Sequence, residues 1–412
     1  MIDYGIKEKK LLKYTLSNTL ATLSINLVIP LLSIILLANN WTTLEISLFF
    51  TTAILARFLL SPVLGKISDA YGSKRVLLVS VLFQGLAFLI YFFIIEYKSY
   101  AFILRFLEGL VYANYSILSL KFFEELVSKK KGFWLGIFFG VSYIGVLIGP
   151  IIGGFFIEFM SPNFLFIFGF LSFLVCFLSF YFNNFDSDIK KIKKVKFSIR
   201  DFNPFSEFSE FLSYRRLRGA AIIGITANSL HQLLIVYFPI YVVQILGYPA
   251  YYVGIFLGFS SFLHLFQFLY GRIGDAVSPG AGSLLGILFS SSAMILLPIT
   301  TTEIGIILIM LLYGLGLSIF NVNCWLFLDK VAEKNNIEGE INGTYISFAS
   351  LGVLITISLS SFITSAIGIV ETFQLFGLIL FISIFIAYFF MSPIFFNKRN
   401  KLKEFLVKRE KN

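Results

Sequence analysis

The stretch Gly65-Lys66-Ile67-Ser68-Asp69 sits between two long apolar runs, and Gly271-Arg272-Ile273-Gly274-Asp275 sits between two others. The glycines (65 and 271) and the aspartates (69 and 275) are both 206 residues apart. The same separation carries the start of the first apolar run, near residue 13, onto the start of the seventh, near 219. One polar signature repeated between apolar runs at a fixed spacing marks a duplicated unit. Duplicated bundles of membrane helices are a transporter architecture, with the binding site near midplane between the repeats.

Composition supports that reading. Of 412 residues, 58% are hydrophobic and 14% charged, with mean hydropathy +0.87. A water-soluble fold of this length needs more polar surface, so lipid is the expected solvent. A bilayer core needs about 20 apolar residues per helix. Such runs lie near 14–38, 44–64, 76–96, 100–120, 133–158 and 163–182, then near 219–244, 248–270, 280–300, 303–328, 341–367 and 371–395. Lipid offers the backbone no water to bond, and period-two alternation is absent, so the runs are helices rather than barrel strands. The expectation is an all-α membrane protein of twelve transmembrane helices in two pseudo-symmetric six-helix bundles. Residues 1–182 form the first bundle, 183–216 a cytoplasmic linker, and 217–412 the second bundle with a short basic tail.

The net charge of +10 does not point to nucleic acid, because of where the basic residues lie. All but three of the 33 Lys and Arg residues (Arg57, Lys98 and Arg105) fall in the leader, in alternate loops, in the linker or in the tail. That asymmetry predicts a multi-pass protein of the cell membrane with both termini cytoplasmic. The leader (Lys7, Lys9, Lys10, Lys13) precedes a run too long for a signal-peptide core and without a small-residue cleavage pattern, so the run is read as a retained span. The linker lysines, Lys190 to Lys196, either anchor the topology or touch anionic lipid. Cys176 and Cys324 lie inside apolar runs and read as packing residues, not a disulfide.

Ionisable groups inside a span are costly and are functional candidates by default. In span 4, Arg105 and Glu108 are three residues apart on one helix face, so they can pair. Either the pair is permanent and structural, or Glu108 takes up and releases a proton with Arg105 tuning it. Arg57 lies about 10 Å inside span 2, at 1.5 Å per residue. It neutralises an anion or snorkels to the headgroups. His231, midway along span 7, either titrates or is a hydrogen-bonded structural residue. His264 in span 8 reads as structural. Asn26, Gln84, Tyr112, Asn114, Asn228, Gln232, Tyr237 and Tyr241 are the mid-depth polar groups expected to line a substrate cavity.

The loop stretch, extended through Gly72, Lys74 and Arg75, resembles the loop 2–3 signature of the major facilitator superfamily. Ala70 and Ser73 stand where that signature has basic residues, and Ser278 where the second copy would have Gly. The resemblance implies a cytoplasmic gate at Gly65, Asp69, Gly72, Lys74, Arg75, Gly271 and Asp275. Span 5 carries Gly136, Gly145, Gly149-Pro150 and Gly153-Gly154, similar to the span-5 motif of the drug–proton antiporter branch. Span 11 lacks the Gly-Pro pair, and the family associates this one-sided pattern with exporters. Arg105-x-x-Glu108-Gly109 resembles the family's span-4 motif, with Glu in place of Gln, and the Arg there is tied to proton coupling.

There is no phosphate-cradling Gly-Lys-Ser/Thr loop, no metal-ligand cluster and no catalytic constellation, so the chain reads as neither an ATP-driven pump nor an enzyme, with no cofactor and no metal. The leading expectation is a secondary transporter, monomeric, working by alternating access: proton-coupled export of a small, partly apolar compound. No acidic residue lies in span 1, and two intramembrane Arg residues lean toward neutral or anionic cargo. A symporter or exchanger of a sugar or organic anion is therefore the second reading. A transport-inactive sensor or scaffold is the third.

Overall fold

A computed structural model describes residues 2–71, 73–111, 131–183, 208–276, 278–335 and 338–391, with the side chains of 2–9, 60–71, 272–276 and 332–343 among those outside the described set. Twelve long helices run through these residues. In the first half, α1 joins Ile2–Val28 to Leu32–Ala38 through the 3-10 turn Ile29–Leu31, where Pro30 interrupts the ladder. It is followed by α2 (Thr43–Tyr71), α3 (Ser73–Ile94), α4 (98–111), α5 (Lys131–Phe159) and α6 (Phe164–Phe182). In the second half, α7 (Arg215–Ile240) ends in the π turn Tyr241–Ile245, and α8 joins Ala250–Phe262 to Gln267–Ala276 through the 3-10 turn Leu263–Phe266. The last four are α9 (Pro279–Leu296), α10 (Glu303–Asn335), α11 (Glu338–Ile367) and α12 (Ile369–Met391). Among the described residues there is no strand, and ten helices are long and apolar enough to cross a membrane. The other two long helices, α2 and α4, run into residues outside that set.

Local chemistry sets several boundaries. Thr42 and Glu45 form a capping box at the start of α2: Thr42 N donates to Glu45 Oε2 at 2.8 Å, and Glu45 N donates to Thr42 Oγ1 at 3.3 Å. Pro279 opens α9 at a position where its missing N–H costs nothing. Gly368, at φ 93°, makes the left-handed turn between α11 and α12. Two expected boundaries shift. The linker, placed at 183–216, already contains the helix Phe208–Ser213 and the start of α7 at Arg215. Phe208 stacks on Phe348 of α11 at 3.9 Å, and burial of that ring holds the short helix against the second half. The loop expected around Gly65–Asp69 is instead the final stretch of α2, because nothing there breaks the helix before Tyr71. Gly271 and Asp275 likewise lie in the closing turns of α8.

The packing repeats with the sequence. In the first half α1 packs on α5 and α6, and α3 on α6; in the second, α7 packs on α11 and α12, and α9 on α12. Across the halves α5 packs on α8, and α11 packs on α2, which is the same pairing six helices later. The outer surface is apolar, with Phe159, Phe182, Ile304 and Val79 each more than 60% exposed. Such faces are stable against acyl chains and not against water.

Candidate functional site

Between the halves lies a cavity of about 320 Å³, walled by α1, α2 and α4 on one side and by α7, α10 and α11 on the other. Six expected residues face it: Asn26, Arg57, Arg105, Glu108, Asn228 and Gln232, with His231 as a seventh. Asn26 Nδ2 donates to Thr22 O at 2.8 Å, and Asn228 Nδ2 donates to Gly224 O at 2.8 Å. Each amide is thereby tied back to its own helix, and its carbonyl oxygen is left to meet a ligand. His231 lies deep in the molecule yet open to the cavity. Aromatic faces of Phe50, Phe320, Trp325 and Tyr345 complete the wall.

Glu108 is the most elaborately held group. Arg105 Nη1 donates to its Oε2 at 2.6 Å, Tyr91 OH donates to the same oxygen at 2.9 Å, and Gln84 Nε2 donates to Oε1 at 2.6 Å. Its side chain is 3% exposed and that of Arg105 7%. Three donors on two oxygens is a pattern suited to a carboxylate. The Arg105 guanidinium also lies over the rings of Phe49 and Phe50, at 5.2 and 5.3 Å. Cation–π contact offsets part of its desolvation.

Several expected wall residues stand elsewhere. Gln84 is off the wall and acts on Glu108 from behind. Tyr237 is fully buried, its hydroxyl 2.8 Å from Ser47 Oγ and 3.0 Å from Ser360 Oγ, so it joins α7 to α2 and α11. Tyr241 is buried edge-on to Phe373 at 5.8 Å, within the second half. Both are turned from the cavity because their faces of α7 are taken up by helix contacts. Tyr112, Asn114 and Gly72 lie outside the described residues, as do the side chains of Asp69 and Asp275. Lys74 and Arg75 open α3, and a Cβ at Gly271 would come 3.2 Å from Val322 of α10.

The span-5 glycines divide between two neighbours. An added Cβ at Gly145 would reach 2.5 Å from Leu23 N, and one at Gly149 would reach 2.8 Å from the Asn26 carbonyl carbon; one at Gly153 would meet Leu27 O. These three press α5 on α1. A Cβ at Gly136 would lie 2.9 Å from Phe268 Cα and one at Gly154 3.1 Å from Tyr251 Cα, so these two face α8 across the halves. Pro150 lies within α5, and its carbonyl meets the position a Cβ on Gly254 would take. Small residues permit such close backbone approach.

At the end of the cavity remote from the N terminus the halves touch. Ser33 Oγ donates to Val236 O at 2.8 Å, and the Ser47–Tyr237–Ser360 chain lies beside it. Sequence reasoning missed Tyr91, Asn321, Trp325 and Tyr345. The spacing of Gln84 and Tyr91, seven residues apart on one helix face, was the available signal for the Glu108 cradle. Cys324, read as packing, is also on the wall, its Sγ 3.3 Å from Tyr345 OH.

The sequence profile of the Major Facilitator Superfamily matches residues 14–339. An uncharacterised MFS-type transporter of Methanocaldococcus jannaschii is 23% identical over 381 residues, covering 90% of this chain and 95% of that one. The class H tetracycline resistance protein of Pasteurella multocida is 26% identical over 149 residues, 35% of this chain and 37% of that one. Among solved structures, a point mutant of the nucleoside transporter NupG superposes with TM-score 0.78 at 12% identity, covering 93% of this chain and all of that one. The human organic anion transporter MFSD10 superposes with TM-score 0.67 at 15% identity, covering 92% and 99%. With a duplicated twelve-helix fold, a central cavity between the halves and a profile match over most of its length, the chain belongs to the Major Facilitator Superfamily and is a multi-pass secondary transporter.

Proposed function

We propose that this protein exports a small, partly apolar compound in exchange for protons, as a monomer of the cell membrane with both termini cytoplasmic. The carrying observation is Glu108: a carboxyl on the cavity wall, held by Arg105, Tyr91 and Gln84. These donors belong to the same half as Glu108, so rocking of the halves changes instead how far water and substrate reach the carboxyl from the cavity. A carboxyl whose solvation differs between two states binds a proton differently in each. Asp69 and Asp275, with their glycines, Lys74 and Arg75, act as the cytoplasmic gate. The α5 glycines let α1 and α8 slide against a smooth helix face. Export is favoured by the one-sided Gly149-Pro150 motif and by the tetracycline-resistance relative.

A second reading has a specific observation behind it. Four amide side chains (Asn26, Asn228, Gln232 and Asn321) and Arg57 face the cavity beside aromatic rings. That lining suits a neutral or anionic ring compound, such as the nucleosides or organic anions carried by the proteins with similar folds. The test is flux of tetracycline, uridine and benzoate into inverted proteoliposomes under an imposed pH gradient. Gradient-driven tetracycline flux lost in Glu108→Gln, with the fold retained, is the expected result. Full drive in that variant overturns the role of Glu108, and uridine or benzoate flux without tetracycline flux selects the second reading.

A further inference from the structure

Helix α8 is interrupted in mid-span by the 3-10 turn Leu263–Phe266, with no proline to cause it. Irregular backbone at membrane depth is tolerated where it is buried in protein or lines a cavity, and a mid-helix 3-10 stretch often marks a working element. Four buried polar atoms sit at or beside this turn without a hydrogen-bond partner: His264 Nδ1, both amide atoms of Gln267, and Tyr313 OH. His264 is 3% exposed, Gln267 1% and Tyr313 1%. In a 3-10 turn residues i and i+3 eclipse, which sets Gln267 directly beyond His264 on one face. The imidazole stacks on Tyr143 of α5 at 4.2 Å and 18°, and Asn321 Nδ2 of the cavity wall donates to that tyrosine's hydroxyl at 3.4 Å.

We propose that the break in α8 is a second protonation site of the transport cycle, separate from Glu108, with His264 as the proton acceptor. The proposal rests on the proton-coupled reading above. His264 Nδ1 takes one proton and the site gains one positive charge. Gln267 Oε1 and Tyr313 OH then engage the imidazolium through their free acceptor positions. Each orphaned buried group costs about 1–3 kcal/mol, so a charge or a repacking that engages them is favoured at this turn. The titratable groups facing the imidazole are Tyr143 from α5 and His231 from α7, with Tyr313 on α10 facing Tyr143. His231 stands on the cavity wall, between the water of the cavity and the interior of the second half.

The chain has two histidines, so full-length protein labelled with 15N-histidine in lipid nanodiscs gives two imidazole spectra, which His231→Gln assigns. The expected result is an imidazolium form of His264 growing in as pH falls from about 8 to about 4, later than a free imidazole. It persists in Glu108→Gln, and its midpoint moves about one pH unit lower in Gln267→Met, which removes the partner of the charged form. A His264 spectrum unchanged across the range overturns the proposal. Titration lost in Glu108→Gln also overturns it, since the site is then not separate. If His264 titrates while no pH gradient drives tetracycline, uridine or benzoate, the proton-coupled reading fails, and His264 is a titrating group with no part in a transport cycle, which overturns the proposal as well.

Discussion

Two buried polar clusters, one around Glu108 on the cavity wall and one around His264 at the break in α8, differ in what their central group meets. Around Glu108, donors from α3 and α4 saturate both carboxylate oxygens. Around His264, α8 and α10 leave four polar atoms without partners. The first cluster lies within one half and satisfies the carboxylate at its centre, leaving orphans only at its rim, Gln84 Oε1 and Arg105 Nε. The second lies where α8 meets α5 of the other half. A group whose partners travel with it keeps them as the halves rock, whereas a group at a moving boundary meets new partners.

The comparison breaks most sharply at Arg105. Arg105→Met leaves the Glu108 carboxyl buried and uncompensated, which costs about 3–5 kcal/mol. Thermal unfolding in detergent is expected to show a large loss, recovered in part by the Arg105→Met/Glu108→Gln pair. Gly149→Val on the α5–α1 seam comes next. Its Cβ would lie 2.8 Å from backbone of α1, and overpacking of this kind costs about 1–3 kcal/mol, read in the same assay. Tyr91→Phe removes one donor from Glu108 Oε2 and is expected to cost about 1–2 kcal/mol. Smallest, and opposite in sign, is Gln267→Met: it deletes an amide with no partner to lose, so the melting temperature stays level or rises. A clear drop there would mean that Gln267 is already bonded, and the contrast between the clusters would vanish.

Much of this was legible beforehand, for physical reasons that differ by residue. The twelve helices followed from apolar length, and the repeat from the Gly65/Asp69 and Gly271/Asp275 spacing. Arg105 and Glu108 could be paired because three residues along a helix share a face. Tyr237 was misplaced: its position in α7 suits a cavity in depth, but its azimuth puts the hydroxyl between Ser47 and Ser360. His264 read as structural because one histidine in an apolar run carries no sign of its neighbours. Only the stacked ring of Tyr143 and the bare amide of Gln267 change that reading.

Helicity, span number and duplication were determined by the sequence alone. In lipid each backbone must satisfy its own hydrogen bonds, so composition and length decide the element. Which side chains face the cavity was decided by the tertiary structure. These helices are apolar nearly all round, so periodicity carries little information about rotation about the helix axis. That rotation is set by contacts such as Gly145, Gly149 and Gly153 on α1 and Ser33 on α7. Those contacts put Glu108 and His231 on the wall and hold Tyr237 in the seam.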